Sequence, residues 1–307
     1  MNNFEQIKTY MSIGDPQKPM LAQSWLRVLI FAATYFCLLI LLGQTIRMIF
    51  PDAFAPGNEK KNVNFLFLMF FASSAIGIAW AWLFRKLVDR KTFESLGFDW
   101  AGNTSNAGAG FFLGILMLCV GTLILVMTKN LRWTDFNFNG TSVFLSFGLM
   151  LMIAFAEEIV FRGYILNNLL ESTGKWMALV ISSLLFAGFH MGNSSVDVIP
   201  IVNIFLASLL LGVNYIYTKN LWFGIALHFS WNFVQGSVLG YAVSGLPIQS
   251  IFQHELKGDD IITGGAFGFE GSILTGILSL VVLVVLVYLY EGNPFSKNAN
   301  LAVVDRS

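Results

Sequence analysis

The sequence predicts an all-α fold, a polytopic membrane bundle of about eight transmembrane helices, and three observations carry that reading. Only 12% of the residues are charged, whereas a soluble domain carries about a quarter. Hydrophobic residues make up 56% of the chain and the mean hydropathy is +0.68. Apolar runs of about 20 residues, enough to cross a bilayer as a helix, recur from end to end.

Taken in order, the expected spans are Trp25–Ile49, Asn64–Phe84, Ala107–Thr128, Val143–Leu170, Trp176–His190, Val198–Tyr217, Leu221–Ala242 and Ser272–Tyr290. The stretch before the first span, Met1 to Ser24, is polar, and the first apolar run is longer than a signal-peptide core, so no cleaved leader is expected. The fifth span is short and ends on a histidine, which suits a helix that stops inside the bilayer at a cavity. Gly110 and Gly114 form a small-xxx-small pair in the third span and are read as packing residues.

Charge sets orientation and excludes one function class. With 18 basic and 18 acidic residues the net charge is zero, and nothing points to nucleic acid as a partner. Arg85, Lys86, Arg90 and Lys91 make the second connection basic, so it is expected on the cytoplasmic side with the N-terminus. Eleven basic residues then fall on that side and six on the other, with Arg162 set aside. Cys37 and Cys119 both lie in apolar spans and read as small core residues, neither a disulfide framework nor a zinc site.

The polar residues inside the spans carry the chemistry. Phe155-Ala156-Glu157-Glu158-Ile159-Val160-Phe161-Arg162-Gly163 places two carboxylates and a guanidinium at membrane depth, where ionisable groups are costly and mark function by default. Glu158 and Arg162 are four apart and share a helix face, so Arg162 neutralises Glu158. Glu157 is turned about 100° away and is free to exchange a proton. Alone, the set could equally be an ion pair that holds two helices together. Phe186-x-x-x-His190 closes the fifth span, and His228-x-x-x-Asn232 puts an imidazole and an amide on one face of the seventh. Scattered polar groups in hydrocarbon would each cost several kcal/mol, so these six residues should converge.

Together they supply hydrolysis. Glu157, aided by His190, holds and deprotonates a water; His228 and Asn232 donate to the oxygen of a tetrahedral intermediate. No serine, cysteine or threonine lies in a nucleophile motif. Glutamate and imidazole also suit a divalent metal such as zinc, although His-Glu-x-x-His is absent, and that cofactor stays open at this point. The long Ser244–Gly271 loop, with Gly264-Gly265-Ala266-Phe267-Gly268-Phe269-Glu270-Gly271, reads as a lid or re-entrant element. Glu270 is ascribed to the dipole of the last helix, and His254 to a solvated surface.

Glu157-Glu158-x-x-x-Arg162, Phe186-x-x-x-His190 and His228-x-x-x-Asn232, in this order on successive spans, resemble the CPBP family of intramembrane proteases, related to the type II CAAX prenyl endopeptidase Rce1 and the bacterial Abi proteins. The resemblance covers about Val143 to Ala242 and leans to the prokaryotic branch, which implies a bacterial plasma membrane. It implies an intramembrane active site open to the cytosol, with Glu157 as base beside His190, His228 and Asn232 as oxyanion site, and Glu158 and Arg162 in support. The chain then divides into a cytoplasmic tail (1–24), N-terminal helices (25–142), a catalytic core (143–242) and a glycine-rich loop with the last helix and tail (243–307). The implied partners are membrane lipid and a peptide or prenylated protein substrate. Two other classes compete. One is a non-enzymatic scaffold or bacteriocin self-immunity protein. The other is a proton-coupled carrier, disfavoured because no internal repeat relates the two halves.

Overall fold

The computed structural model describes residues 18–51 and 63–292. The expected N-terminal tail up to residue 17 and the C-terminal tail beyond residue 292 lie outside the described residues. Among the described residues, seven helices are long and apolar enough to cross a membrane. They are α1 (Ser24–Ile49), α2 (Val63–Leu87), α3 (Thr104–Met127), α4 (Gly140–Leu169), α5 (Lys175–Gly192 with its closing turn), α6 (Val198–Thr218) and α8 (Ile273–Gly292). The remaining expected span is present as α7 (Trp222–Phe233), continued by a π turn, Val234–Val238. It is shorter than expected because the chain turns back at Gly240, whose φ of +84° is open to glycine at no steric cost.

Local chemistry sets several helix starts. The Asn139 side chain accepts from the Ser142 N–H at the head of α4, and Asp197 accepts from the Val198 N–H at the head of α6. These bonds satisfy donors that the helix leaves unpaired. The outer surfaces are apolar, with Phe112 70% and Phe144 76% exposed, as expected where the solvent is lipid. Cys37 and Cys119 are on that outer surface and not in the core. In a bilayer an apolar side chain gains as much from lipid as from a packed interior, so apolar context did not imply burial. Gly110 and Gly114 do let α3 close on α7: a Cβ at Gly114 would meet the Leu227 carbonyl at 2.9 Å.

The ends of the helices form two distinct faces. On the N-terminal face, Asp89 is fully buried and accepts from Arg27 Nη1 (3.0 Å), Arg85 Nη1 (2.9 Å), Asn168 Nδ2 (3.1 Å) and the Tyr164 hydroxyl (3.3 Å). Beside it Glu171 accepts from Lys91 (2.6 Å) and from Arg27. Burial pushes the Glu171 carboxyl up, but the Lys91 and Arg27 bonds outweigh it and hold the group below its ordinary value. Tyr215 donates to the Leu96 carbonyl at 2.9 Å, and Asn220 to the Asp99 carbonyl at 2.6 Å, tying the second connection under the bundle.

The opposite face carries a two-stranded antiparallel ribbon that the sequence reading did not anticipate, β1 (Leu131–Phe136) against β2 (Phe252–Leu256), with Leu131 opposite Leu256 and Phe136 opposite Phe252. His254 is half-buried here, donating Nδ1–H to the Leu239 carbonyl at 3.0 Å and packing on Tyr241 with centroids 4.7 Å apart. It is therefore not a solvated surface histidine. Burial pushes its imidazole below the ordinary value of 6.5, with the Leu239 bond opposing.

Candidate active site

The middle of α4 departs from α geometry immediately after the two glutamates. Residues Ile159–Leu166 form π turns, a widened backbone that appears mostly at functional sites. Glu158 remains paired with Arg162 across it, Nη1 to Oε1 at 3.0 Å, and both side chains are about fully buried. Arg162 Nη2 also donates to the Ser208 carbonyl (3.0 Å) and hydroxyl (2.9 Å) on α6, and its guanidinium lies 4.6 Å from the Phe186 ring centroid. The cation is thus held from three helices and does not enter the cavity.

Glu158 reaches across to α7 as well. Its Oε1 accepts from His228 Nδ1 at 3.0 Å. There is no room for a side chain behind it, since a Cβ at Gly224 would meet Glu158 Oε2 at 2.8 Å. With Nδ1 committed to Glu158, His228 turns Nε2 toward Glu157, 3.7 Å from Oε2.

His190 sits where α5 ends and a 3-10 turn begins. Its Nδ1 is 2.8 Å from the Phe186 carbonyl. A carbonyl only accepts, so Nδ1 carries hydrogen and Nε2 is the atom that faces Glu157, 3.9 Å from Oε2. Both Nε2 atoms are too far for a direct hydrogen bond to Glu157. They stand at the spacing of a bridging water. Glu157 Oε2 is itself buried and without a hydrogen-bond partner in the protein.

The six residues expected to converge therefore do so. Glu157, His190, His228 and Asn232 line one cavity of about 690 Å³, and Glu158 and Arg162 stand directly behind it. Asn232 is one helical turn beyond His228 on α7 and is buried. Among the described residues, no group of three or more His, Cys, Asp and Glu side chains is arranged to hold a metal ion. The nearest approach is Glu157 Oε2 with the two Nε2 atoms.

Sequence reasoning missed Glu270. Its expected role with the helix dipole is replaced by specific bonds: Oε1 accepts from Trp231 Nε1 (3.1 Å), and Oε2 from the Ser244 N–H (2.9 Å) and hydroxyl (2.6 Å). It lines the same cavity and ties the 242–247 loop to α7 next to Asn232. Ser208 was missed too, because a serine in an apolar helix gives no signal until its partner is known.

The cavity mouth is formed by 192–195, 242–247 and Ala266. These segments are joined to one another, with Asn193 donating to the Ser244 carbonyl (3.1 Å) and the Gly245 N–H to the Phe267 carbonyl (2.9 Å). They belong to the ribbon face, opposite the end of the bundle at which α1 begins.

The multi-pass membrane character follows from the apolar helices together with their lipid-facing surfaces. A search of curated proteins finds no match to the chain. The comparison with protein families does find one, and at family level it implies a CAAX-type intramembrane protease acting on a peptide or protein. Residues 139–234, roughly a third of the chain and the third that holds all six converging residues, match the type II CAAX prenyl endopeptidase Rce1-like family, bearing out the resemblance carried by the motifs.

Proposed function

We propose that the protein is an intramembrane endopeptidase that hydrolyses a peptide bond in a lipidated or membrane-embedded polypeptide by direct attack of water. The observation that carries this reading is the partnerless Glu157 Oε2, faced across the cavity by the Nε2 atoms of His190 and His228 at 3.9 and 3.7 Å. A water held between Glu157 and His190 is polarised by both. Glu157 takes one proton as the water oxygen adds to the carbonyl carbon, and the carbonyl oxygen becomes an oxyanion. Asn232 Nδ2–H and, when its imidazole is doubly protonated, His228 Nε2–H donate to that oxyanion. One such donor is worth about 3–4 kcal/mol in the transition state. The Glu157 carboxylic acid then returns the proton to the leaving nitrogen as the C–N bond breaks, giving a new carboxyl group and a free amine.

Glu158 and Arg162 are positioning residues in this scheme. The carboxylate fixes the His228 tautomer through Nδ1, and the guanidinium fixes the carboxylate. In the second reading Glu157, His190 and His228 would hold a divalent metal, which would polarise the attacking water and the scissile carbonyl.

Detergent-purified protein incubated with a farnesylated C-terminal peptide, and separately with an unmodified transmembrane peptide, tests the proposal. Cleavage of either by wild type and not by Glu157→Gln is the expected result; a chelator that stops cleavage, with zinc restoring it, moves the mechanism to the metal. Equal cleavage by the Glu157→Gln protein overturns the reading.

A further inference from the structure

The substrate class is set by the side of the membrane from which the cavity can be reached. Every segment at the mouth lies on the ribbon face, and the wall runs from the near halves of the helices, as with Met150 on α4, Ile204 on α6 and Thr275 on α8, to mid-helix at Glu157, Leu211 and Leu227. Among the described residues, the cavity takes no lining from the connections of the N-terminal face, 88–103, 170–174 and 219–221. That end is sealed. Leu96, Phe161, Tyr164, Tyr215 and Leu221 are buried together beneath the site, and below them Asp89 is locked by four donors.

Charge then assigns the two faces. Among the described residues, Lys18, Arg27, the four basic residues of 85–91, Lys175 and Lys219 place eight cations at the N-terminal face, and Arg47, Lys129, Arg132 and Lys257 place four at the ribbon face; over the whole sequence the same division of connections gives eleven and six. Excess lysine and arginine near helix ends marks the cytoplasmic side.

We infer that the active site is served from the non-cytoplasmic side of the membrane. Its substrates are polypeptides that have already been inserted or exported, with the scissile bond on the exported side. This rests on the peptidase reading above and narrows it. A cytosolic protein with a lipidated C-terminus would present its scissile bond at the sealed face, and it is thereby excluded as the natural target.

Single-cysteine variants of the full chain test the assignment in intact cells, in a background where Cys37 and Cys119, both exposed, are replaced by alanine. Ser195→Cys reports the mouth, Thr134→Cys the ribbon and Ser172→Cys the N-terminal face; all three positions are exposed. A membrane-impermeant maleimide is expected to label Ser195→Cys and Thr134→Cys before permeabilisation and Ser172→Cys only after it. Labelling of Ser172→Cys and not of Ser195→Cys in intact cells overturns the inference, as does equal labelling of the two. The readout requires no turnover, so a reversed orientation leaves the peptidase reading intact, and an inactive protein leaves the orientation intact.

Discussion

Adjacent glutamates in one helix should respond in opposite ways to loss of charge. Glu158 is completely buried and takes Arg162 Nη1 and His228 Nδ1, each at 3.0 Å, on one oxygen. Glu158→Gln retains an amide oxygen beside Arg162 but removes the counter-charge bonded to the guanidinium, whose other polar partners, the Ser208 carbonyl and hydroxyl, are neutral. Removing one member of a buried pair costs about 3–5 kcal/mol, because the other charge stays buried and uncompensated. Glu157 Oε2 has no hydrogen bond to lose, so Glu157→Gln should change stability by less than about 1 kcal/mol in either direction. The catalytic effect runs the other way, since loss of a general base costs about 10²–10⁴-fold in rate. Thermal unfolding in detergent, followed by intrinsic fluorescence beside activity at a temperature where every variant is folded, separates the two. The double variant Glu158→Leu/Arg162→Met should recover much of the stability lost by Glu158→Gln, while the non-additivity measures the coupling. Equal melting of Glu158→Gln and wild type, or a Glu157→Gln protein as unstable as Glu158→Gln, refutes the division of roles.

Other outcomes follow from the same geometry. Asn232→Ala should lower kcat about 10²–10³-fold with little change in KM, as expected for a donor engaged only in the transition state; steady-state kinetics on the cleaved peptide checks it, and a change confined to KM contradicts it. Gly224→Ala should inactivate the protein, because the new Cβ would press on a Glu158 carboxylate pinned by Arg162 and His228; full activity would mean that the carboxylate can move. His254 is held neutral by burial, with a folded value below its ordinary 6.5. The unfolded state therefore binds the extra proton first, so the stability His254 contributes is complete above about pH 6.5 and is lost as pH falls toward the folded value. Hydrogen exchange of the β1 and β2 amides across that window should show the loss, and His254→Phe should abolish the pH dependence.

The sequence made the transmembrane scaffold legible because a bilayer demands long apolar runs, and all eight spans lie within a few residues of their expected ends except at α7. It made the six site residues legible for the complementary reason: an ionisable or amide side chain in such a run must have a partner. The π turns after Glu158 and after Phe233 were not legible, since one extra residue in a turn barely alters an apolar pattern. The ribbon escaped because its strands, Leu131–Phe136 and Phe252–Leu256, have only six and five residues and pair across more than a hundred residues of intervening chain. Glu270 escaped because its partners, Trp231 and Ser244, are 39 and 26 residues away. Cys37 and Cys119 were misplaced by a rule that holds in water, where apolar means buried. The position of the cavity mouth was not legible either: it emerges only when helix direction is followed through the α5–α6 and α7–α8 connections, which puts the mouth opposite the basic segment.

The central claim is that Glu157 delivers a water directly to the scissile carbonyl. Single-turnover cleavage in ¹⁸O-labelled water, with enzyme in excess over a defined peptide, tests it most closely. The account predicts one ¹⁸O atom in the new carboxyl group from the first turnover, none in the peptide that contains Glu157, and no product with the Glu157→Gln protein. Recovery of ¹⁸O in the Glu157 side chain would show a covalent intermediate on that carboxylate and contradict the claim, as would labelled product from the Glu157→Gln protein at the wild-type rate.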